Sequence, residues 1–151
     1  MASDLSGLTG ERASFRFHAD GAEVRHVLRR AVARFARQIS AKDAGTLELA
    51  LAEVLNNIVE HAYADQGKGR VSLTLWRQGI ALSCTVIDEG RAMPGLTLPE
   101  GQMQDVAERI EDLAEGGWGW ALIRALTQDL QYERHGGMNR LSFNVPLTAA
   151  N

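Results

Sequence analysis

Glu53 and Asn57 stand one helical turn apart in the stretch LELALAEVLNNIVEHAY, residues 47–63, and His61 follows one turn later. On a helix this spacing stacks the three side chains on one side. A glutamate held there can accept a proton, and an asparagine can present a neutral oxygen to a hard cation such as Mg2+. No Lys or Arg lies inside the stretch, so Glu53 and Glu60 have no local cationic partner. A lone E-x-x-x-N is more often a solvated polar face, so the rest of the chain has to decide. Two further groups bear on it. Asp88-Glu89-Gly90 closes a strand-like run with an acid and a residue free to adopt positive φ, although a strand-end Asp is also a common turn former. Gly116, Gly117 and Gly119, interleaved with Trp118 and Trp120, run straight into an apolar helical pattern. Glycines there let backbone amides approach an anion at a helix N-terminus, and a plain hinge would look the same.

The elements that must position these groups read as follows. Residues 13–19 alternate, with Phe15 and Phe17 on one side, as a half-buried strand does. Asp20 with Glu23 three residues on forms a capping box for a helix running to about Ile39, which buries Val24, Val27, Leu28, Ala31, Val32, Phe35 and Ile39. Its other face carries Arg25, Arg29, Arg30, Arg34 and Arg37, a solvated face or a dock for an acidic protein. A break at Lys42–Gly45 precedes the central helix, whose apolar face is Leu47, Ala50, Leu51, Val54, Leu55, Ile58, Val59 and Ala62. The loop Gln66–Gly69 lacks the spacing of a phosphate loop. Residues 71–76 and 80–87 form a hairpin around Arg77-Gln78-Gly79. Pro94, Gly95, Pro99 and Gly101 break the segment 91–117, within which residues 102–114 suit a helix and the whole suits a lid. A strand at 130–134, a turn at His135-Gly136-Gly137 and a strand at 140–145 close the chain.

With 151 residues, 45% apolar and 23% charged, the sequence fits one soluble domain and not a disordered chain. Residues 1–12 are a polar, flexible lead-in and residues 13–148 the domain. A net charge of −3 gives no global field for nucleic acid or an acidic membrane. Cys84 is the only cysteine, which excludes an internal disulfide and argues against a thiolate zinc site. No apolar run approaches a membrane span and no leader pattern is seen, so a cytoplasmic protein is expected.

Taken in order, these motifs resemble the GHKL (Bergerat-fold) ATPases, the nucleotide-binding domain shared by histidine kinases, Hsp90-type chaperones and type II topoisomerases. Within them the chain is most similar to the anti-sigma factor serine/threonine kinases of the RsbW and SpoIIAB type. The resemblance spans residues 15–147 and rests on Glu53–Asn57 with Glu60–Tyr63, on Val86–Pro94, and on Gly116–Ile123. It implies an α+β fold, a two-layer sandwich with a mixed, mostly antiparallel sheet covered on one face by helices. It also implies ATP and Mg2+ as cofactors. Asn57 would ligate the metal and Glu53 would take the proton of a partner's serine or threonine. Asp88 would accept from the adenine amino group while Gly90 lets the base approach, beside Ala92. Gly116, Gly117 and Gly119 would wrap the phosphates, with Leu122 behind them. Arg91 or Arg109 would balance γ-phosphate charge. Glu115 departs from the small or basic residue such kinases often carry and would repel a phosphate if it points inward; Trp118 and Trp120 are bulky for that loop.

The function so implied is a kinase in a partner-switching circuit. It would phosphorylate a serine on a STAS-domain anti-anti-sigma protein and sequester a sigma factor or other effector, commonly as a homodimer, without direct nucleic acid or membrane contact. A non-catalytic nucleotide-dependent switch with the same fold is the alternative; Glu53 favours catalysis, because a pure binder has no use for a base there. A histidine-kinase catalytic domain lacks its phospho-acceptor domain here, and a scaffold without nucleotide would make the glycines coincidental.

Overall fold

The computed structural model describes residues 12–64, 66–100 and 119–148. Strand β1 (Arg12–His18) leads into helix α1 (Gly21–Phe35), helix α2 (Ala41–Asn57) and a five-residue π-turn (Ile58–Ala62). The hairpin β2 (Arg70–Gln78) and β3 (Ala81–Asp88) follows, then a 3-10 turn (Pro94–Leu96). Helix α3 (Gly119–Leu126) and the hairpin β4 (Gln128–His135) and β5 (Met138–Pro146) complete the described chain. The expected helix at 102–114, the lid built on it, and Glu115, Gly116, Gly117, Trp118 and Arg109 lie outside the described residues, as does nearly all of the lead-in.

Asp20 caps α1 through Oδ1, which accepts the Glu23 N–H at 2.9 Å, while the Glu23 carboxylate reaches back to the His18 N–H. The helix ends at Phe35 and not near Ile39; Val32 and Ile39 are half-buried at its margin. The expected break at Lys42–Gly45 is instead the first turn of α2. Ser40 is the cap, its hydroxyl accepting the Asp43 N–H at 3.0 Å. Gly45 is tolerated there because the good helix formers that follow outweigh one glycine. Asp43 is 4% exposed and is satisfied by Thr148, whose N–H and hydroxyl both donate to Oδ2. That pair ties the start of α2 to the chain just beyond β5.

The sheet order is β1-β2-β3-β5-β4. Every pairing among the described residues is antiparallel, so the sheet is not mixed as expected. The reason is in the connections. Two successive helices between β1 and β2 return the chain to the end it left, and β5 inserts between β3 and β4, which run the same way. The β2–β3 turn is Gly79-Ile80 rather than Arg77-Gln78-Gly79, with Gln78 paired to Ala81. Gly79 takes the positive φ, 62°, that the first position of such a two-residue loop demands. Alternation then sends Val71, Leu73, Leu75, Leu82, Cys84, Val86, Leu141, Phe143 and Val145 to one face of the sheet. There they meet Val24, Leu28 and Phe35 of α1 and Leu47, Leu51, Val54 and Leu55 of α2. The result is an α+β fold of two layers.

Candidate functional site

Val86 and Leu141 face the helices and pair across the β3–β5 ladder. One period further along, the same row ends in two polar residues, Asp88 opposite Asn139, each only 5% exposed. Asn139 Nδ2 donates to Asp88 Oδ1 at 2.8 Å and to the Arg91 carbonyl at 2.8 Å. Its Oδ1 accepts from the Tyr132 hydroxyl at 2.5 Å and from Arg134 Nη1 at 3.1 Å. The Gly90 N–H also donates to Asp88 Oδ1, at 2.8 Å. Burial pushes the Asp88 carboxyl above its ordinary range, and these bonds with the Arg134 charge oppose that shift without cancelling it.

The π-turn sits beside this corner. Its i→i+5 bond runs from the Tyr63 N–H to the Ile58 carbonyl at 3.0 Å, and a helix end leaves carbonyls to be satisfied. Arg91 does this. Its guanidinium donates to the His61 carbonyl from Nε at 3.1 Å and Nη2 at 2.7 Å, and its N–H donates to the Ala62 carbonyl at 2.8 Å. Arg91 is therefore engaged at the wall and is not a free cation. Gly90 packs on the same turn. A Cβ there would stand 2.3 Å from the Ala62 carbonyl oxygen. Its φ is not positive, so close approach, and not the turn conformation expected from sequence, is what requires glycine. Tyr63 joins the two sides, donating to the Arg70 carbonyl and accepting the Glu89 N–H.

Glu53 and Asn57 face the first turn of α3. A Cβ on Gly119 would lie 2.7 Å from Glu53 Oε1 and 3.8 Å from Asn57 Nδ2. Glu53 is half-buried; burial first, and the Glu60 carboxylate second, raise its pKa above the ordinary value. Asn57 Nδ2 is buried without a hydrogen-bond partner, the one such side-chain atom among the described residues. His61 is exposed, its Nε2 3.9 Å from Glu60 Oε1.

A cavity of about 520 Å³ lies between these groups. Asn57, Asp88 and Ala92 line it, with Asn139 and Tyr132 beside Asp88. Val54, Ile58, Met93, Leu98, Trp120 and Leu141 give it a largely apolar wall. Glu53, Gly119 and Leu122 lie outside the lining, with Leu122 buried under α3, and Gly90 lines a shallower depression on the other side of Arg91. Asn139, Tyr132 and Arg134 escaped the sequence reading. Their partners around Asp88 and the loop after it lie 39 to 51 residues away in sequence, and an Asn near a glycine turn reads as turn chemistry. Asn139 on an inward position of an otherwise apolar strand was the available signal.

Residues 17–145 match the family described as "Histidine kinase-like ATPase domain". The chain is similar to the serine/threonine-protein kinase BtrW of Bordetella bronchiseptica, with 32% identity over 103 residues covering 68% of this chain and 70% of that one. It is similar to the serine-protein kinase RsbW of Bacillus velezensis, with 28% identity covering 64% and 61%, and to that of Bacillus subtilis, with 28% identity covering 61% and 58%. In fold it is like the crystal structure of the RsbU and RsbW domains of Rv1364c from Mycobacterium tuberculosis, at TM-score 0.60 and 19% identity, covering 93% of this chain and 34% of that one. The match thus spans about three-fifths of the RsbW kinases and a third of the solved two-domain chain. With the family's pattern running through nearly every described element from β1 to β5, the chain belongs to the histidine kinase-like ATPase domain family.

Proposed function

We propose that the chain is an ATP-dependent serine/threonine protein kinase of the anti-sigma type, acting on a serine of a STAS-domain anti-anti-sigma protein and holding a sigma factor or other effector. The observation that carries this reading is the meeting at Gly119. There a half-buried carboxylate with a raised pKa and an asparagine one turn on are held against the start of a helix, at the edge of a base-sized cavity. The serine kinases named among its relatives support the same reading.

Asp88 receives both its bonds on Oδ1, which leaves Oδ2 to accept from an adenine amino group. The apolar wall around Trp120 and Met93 takes the faces of the base. Asn57 fits a metal ligand. It lines the cavity and its amide is not tied up through Nδ2, which has no hydrogen-bond partner, so the carboxamide can present its oxygen to Mg2+, a cation that accepts one or two protein oxygens with phosphates and water completing its shell. Bound ATP and Mg2+ supply the transferable phosphoryl group and the charge neutralisation that its transfer needs. Glu53 takes the proton of the partner's hydroxyl, and its raised pKa makes it a better base than an ordinary surface glutamate. Gly119 gives the phosphates a backbone amide at the start of α3.

Calorimetric titration with ATP, with and without Mg2+, followed by transfer of labelled phosphate to a STAS-domain protein, tests this. Mg2+-dependent binding together with serine labelling that is lost in Glu53→Ala supports it. No binding at millimolar ATP sinks the nucleotide reading, and binding without labelling of any STAS partner leaves a nucleotide-dependent switch.

A further inference from the structure

We infer that Asn139 is a positioning residue that decides whether this cavity accepts an amino-purine or an oxo-purine, through a hydrogen-bond polarity imposed from β4. The inference rests on the nucleotide reading of the cavity.

All four hydrogen-bonding capacities of the Asn139 amide are filled. Oδ1 accepts from Tyr132 and Arg134, and Nδ2 donates to Asp88 and Arg91. The direction of this chain is not free to reverse. A guanidinium can only donate, so Arg134 fixes Oδ1 as the acceptor end. Tyr132 agrees: its hydroxyl oxygen accepts the Met93 N–H at 2.9 Å, which sends its own proton to Asn139. Nδ2 must then face Asp88, and Asp88 Oδ1 must accept. The Gly90 N–H makes the same demand at 2.8 Å. What remains for the cavity is Oδ2, an acceptor held in one orientation.

The same residues also fix the loop after β3. Arg134 Nη1 donates to the Gly90 carbonyl at 2.6 Å, Asn139 to the Arg91 carbonyl, and Tyr132 holds Met93. Of these, Arg91 and Met93 line the cavity. The β4–β5 hairpin thus sets both the position and the polarity of the end that meets the base. An exocyclic amino group pairs with Oδ2, whereas a carbonyl there would place two acceptors together and be rejected, as a site built around one hydrogen bond rejects the analogue lacking it.

The experiment measures ATP and GTP affinities of the full chain with Mg2+ for the wild type, Asn139→Leu, Tyr132→Phe and Asp88→Asn. Asn139→Leu should lower the ATP-over-GTP ratio by about tenfold or more. Tyr132→Phe, a milder change on a half-buried edge strand, should move it the same way by less. Asp88→Asn should invert the preference, because Gly90 and Asn139 still demand an acceptor inside and the new amide must turn its NH2 outward. Losses that are equal for the two nucleotides in Asn139→Leu and Tyr132→Phe overturn the inference, since a merely structural residue would act that way. Carbon-13 NMR of the Asp88 carboxyl separates this from the reading beneath it. Asn139→Leu removes a bond that holds its pKa down, leaving Arg134 as the facing cation and Glu89 as the neighbouring anion. Asp88 should therefore titrate at higher pH than in the wild type even without ligand. That shift in a protein that binds neither nucleotide sinks the nucleotide reading and keeps the polarity chain. An unmoved titration overturns the polarity chain itself.

Discussion

The Oε1 atom of Glu53 lies 2.7 Å from the point where a Cβ on Gly119 would stand. Real side chains do not pack that closely, so Gly119→Ala has to displace the carboxylate or the first turn of α3. A displacement of this size between base and hydroxyl costs about a hundredfold in rate. We expect phosphoryl transfer to the STAS partner to fall by that order, with calorimetric ATP affinity moving far less. An equal loss in both would mean that Gly119 serves the nucleotide alone.

Glu53 also carries a pH signature. It works as a base only when ionised, and burial with the Glu60 charge raises its pKa. Transfer should therefore decline on the acid side at a pH above that of an ordinary glutamate. Glu60→Gln removes the repulsion, lowers the Glu53 pKa and should carry the acid limb of the pH–rate profile to lower pH. A limb that stays in place would take Glu60 out of the account.

At Gly90 the prediction concerns stability. A Cβ at Gly90 would collide with the Ala62 carbonyl oxygen, so there is no room for a methyl group. Gly90→Ala should destabilise the fold by roughly 1–3 kcal/mol, as overpacking does. Urea denaturation reads this directly, and a change below about 0.5 kcal/mol would mean that the loop shifts away without strain.

Asp43 gives a stability effect with a definite sign. Its bonds from Thr148 and Ser40 outweigh its burial and hold its pKa below the ordinary value. A group depressed in the folded state contributes stability above its unfolded pKa, about 3.9, and loses it as pH falls through the lower folded value. Asp43→Ala should cost about 1–3 kcal/mol at pH 7. The deficit should shrink below roughly pH 4. A deficit that is constant with pH would show that packing, and not the carboxylate, holds Thr148.

Most of the fold was legible because its cues are local: Phe15 and Phe17 alternate, Asp20 caps with Glu23, and Val71, Leu73 and Leu75 share a face. At the start of α2, Gly45 and the adjacent charged pair Lys42-Asp43 look like a loop, although Ser40 three residues before Asp43 already spells the cap. The all-antiparallel sheet needs the path of two helices and the insertion of β5, which no single segment records. At the site, Asn57, Asp88 and Ala92 from the first two motifs border one cavity, while of the third only Gly119 onward lies among the described residues. Asn139 could not be read from spacing, because its partner Asp88 is 51 positions away and only the β3–β5 register brings them together.

The π-turn at Ile58–Ala62 adds a different kind of constraint. A wide turn behaves as a helix carrying one surplus residue, and removing a residue from a helix swings all that follows by about 100° around its axis. The carbonyls of His61 and Ala62 would then point away from Arg91, and the bed on which Gly90 lies would be gone. Here the wall of the cavity depends on how many residues the chain counts out before Tyr63 as much as on which residues they are. A variant that keeps every side chain lining the cavity and deletes Val59 would still lose its shape.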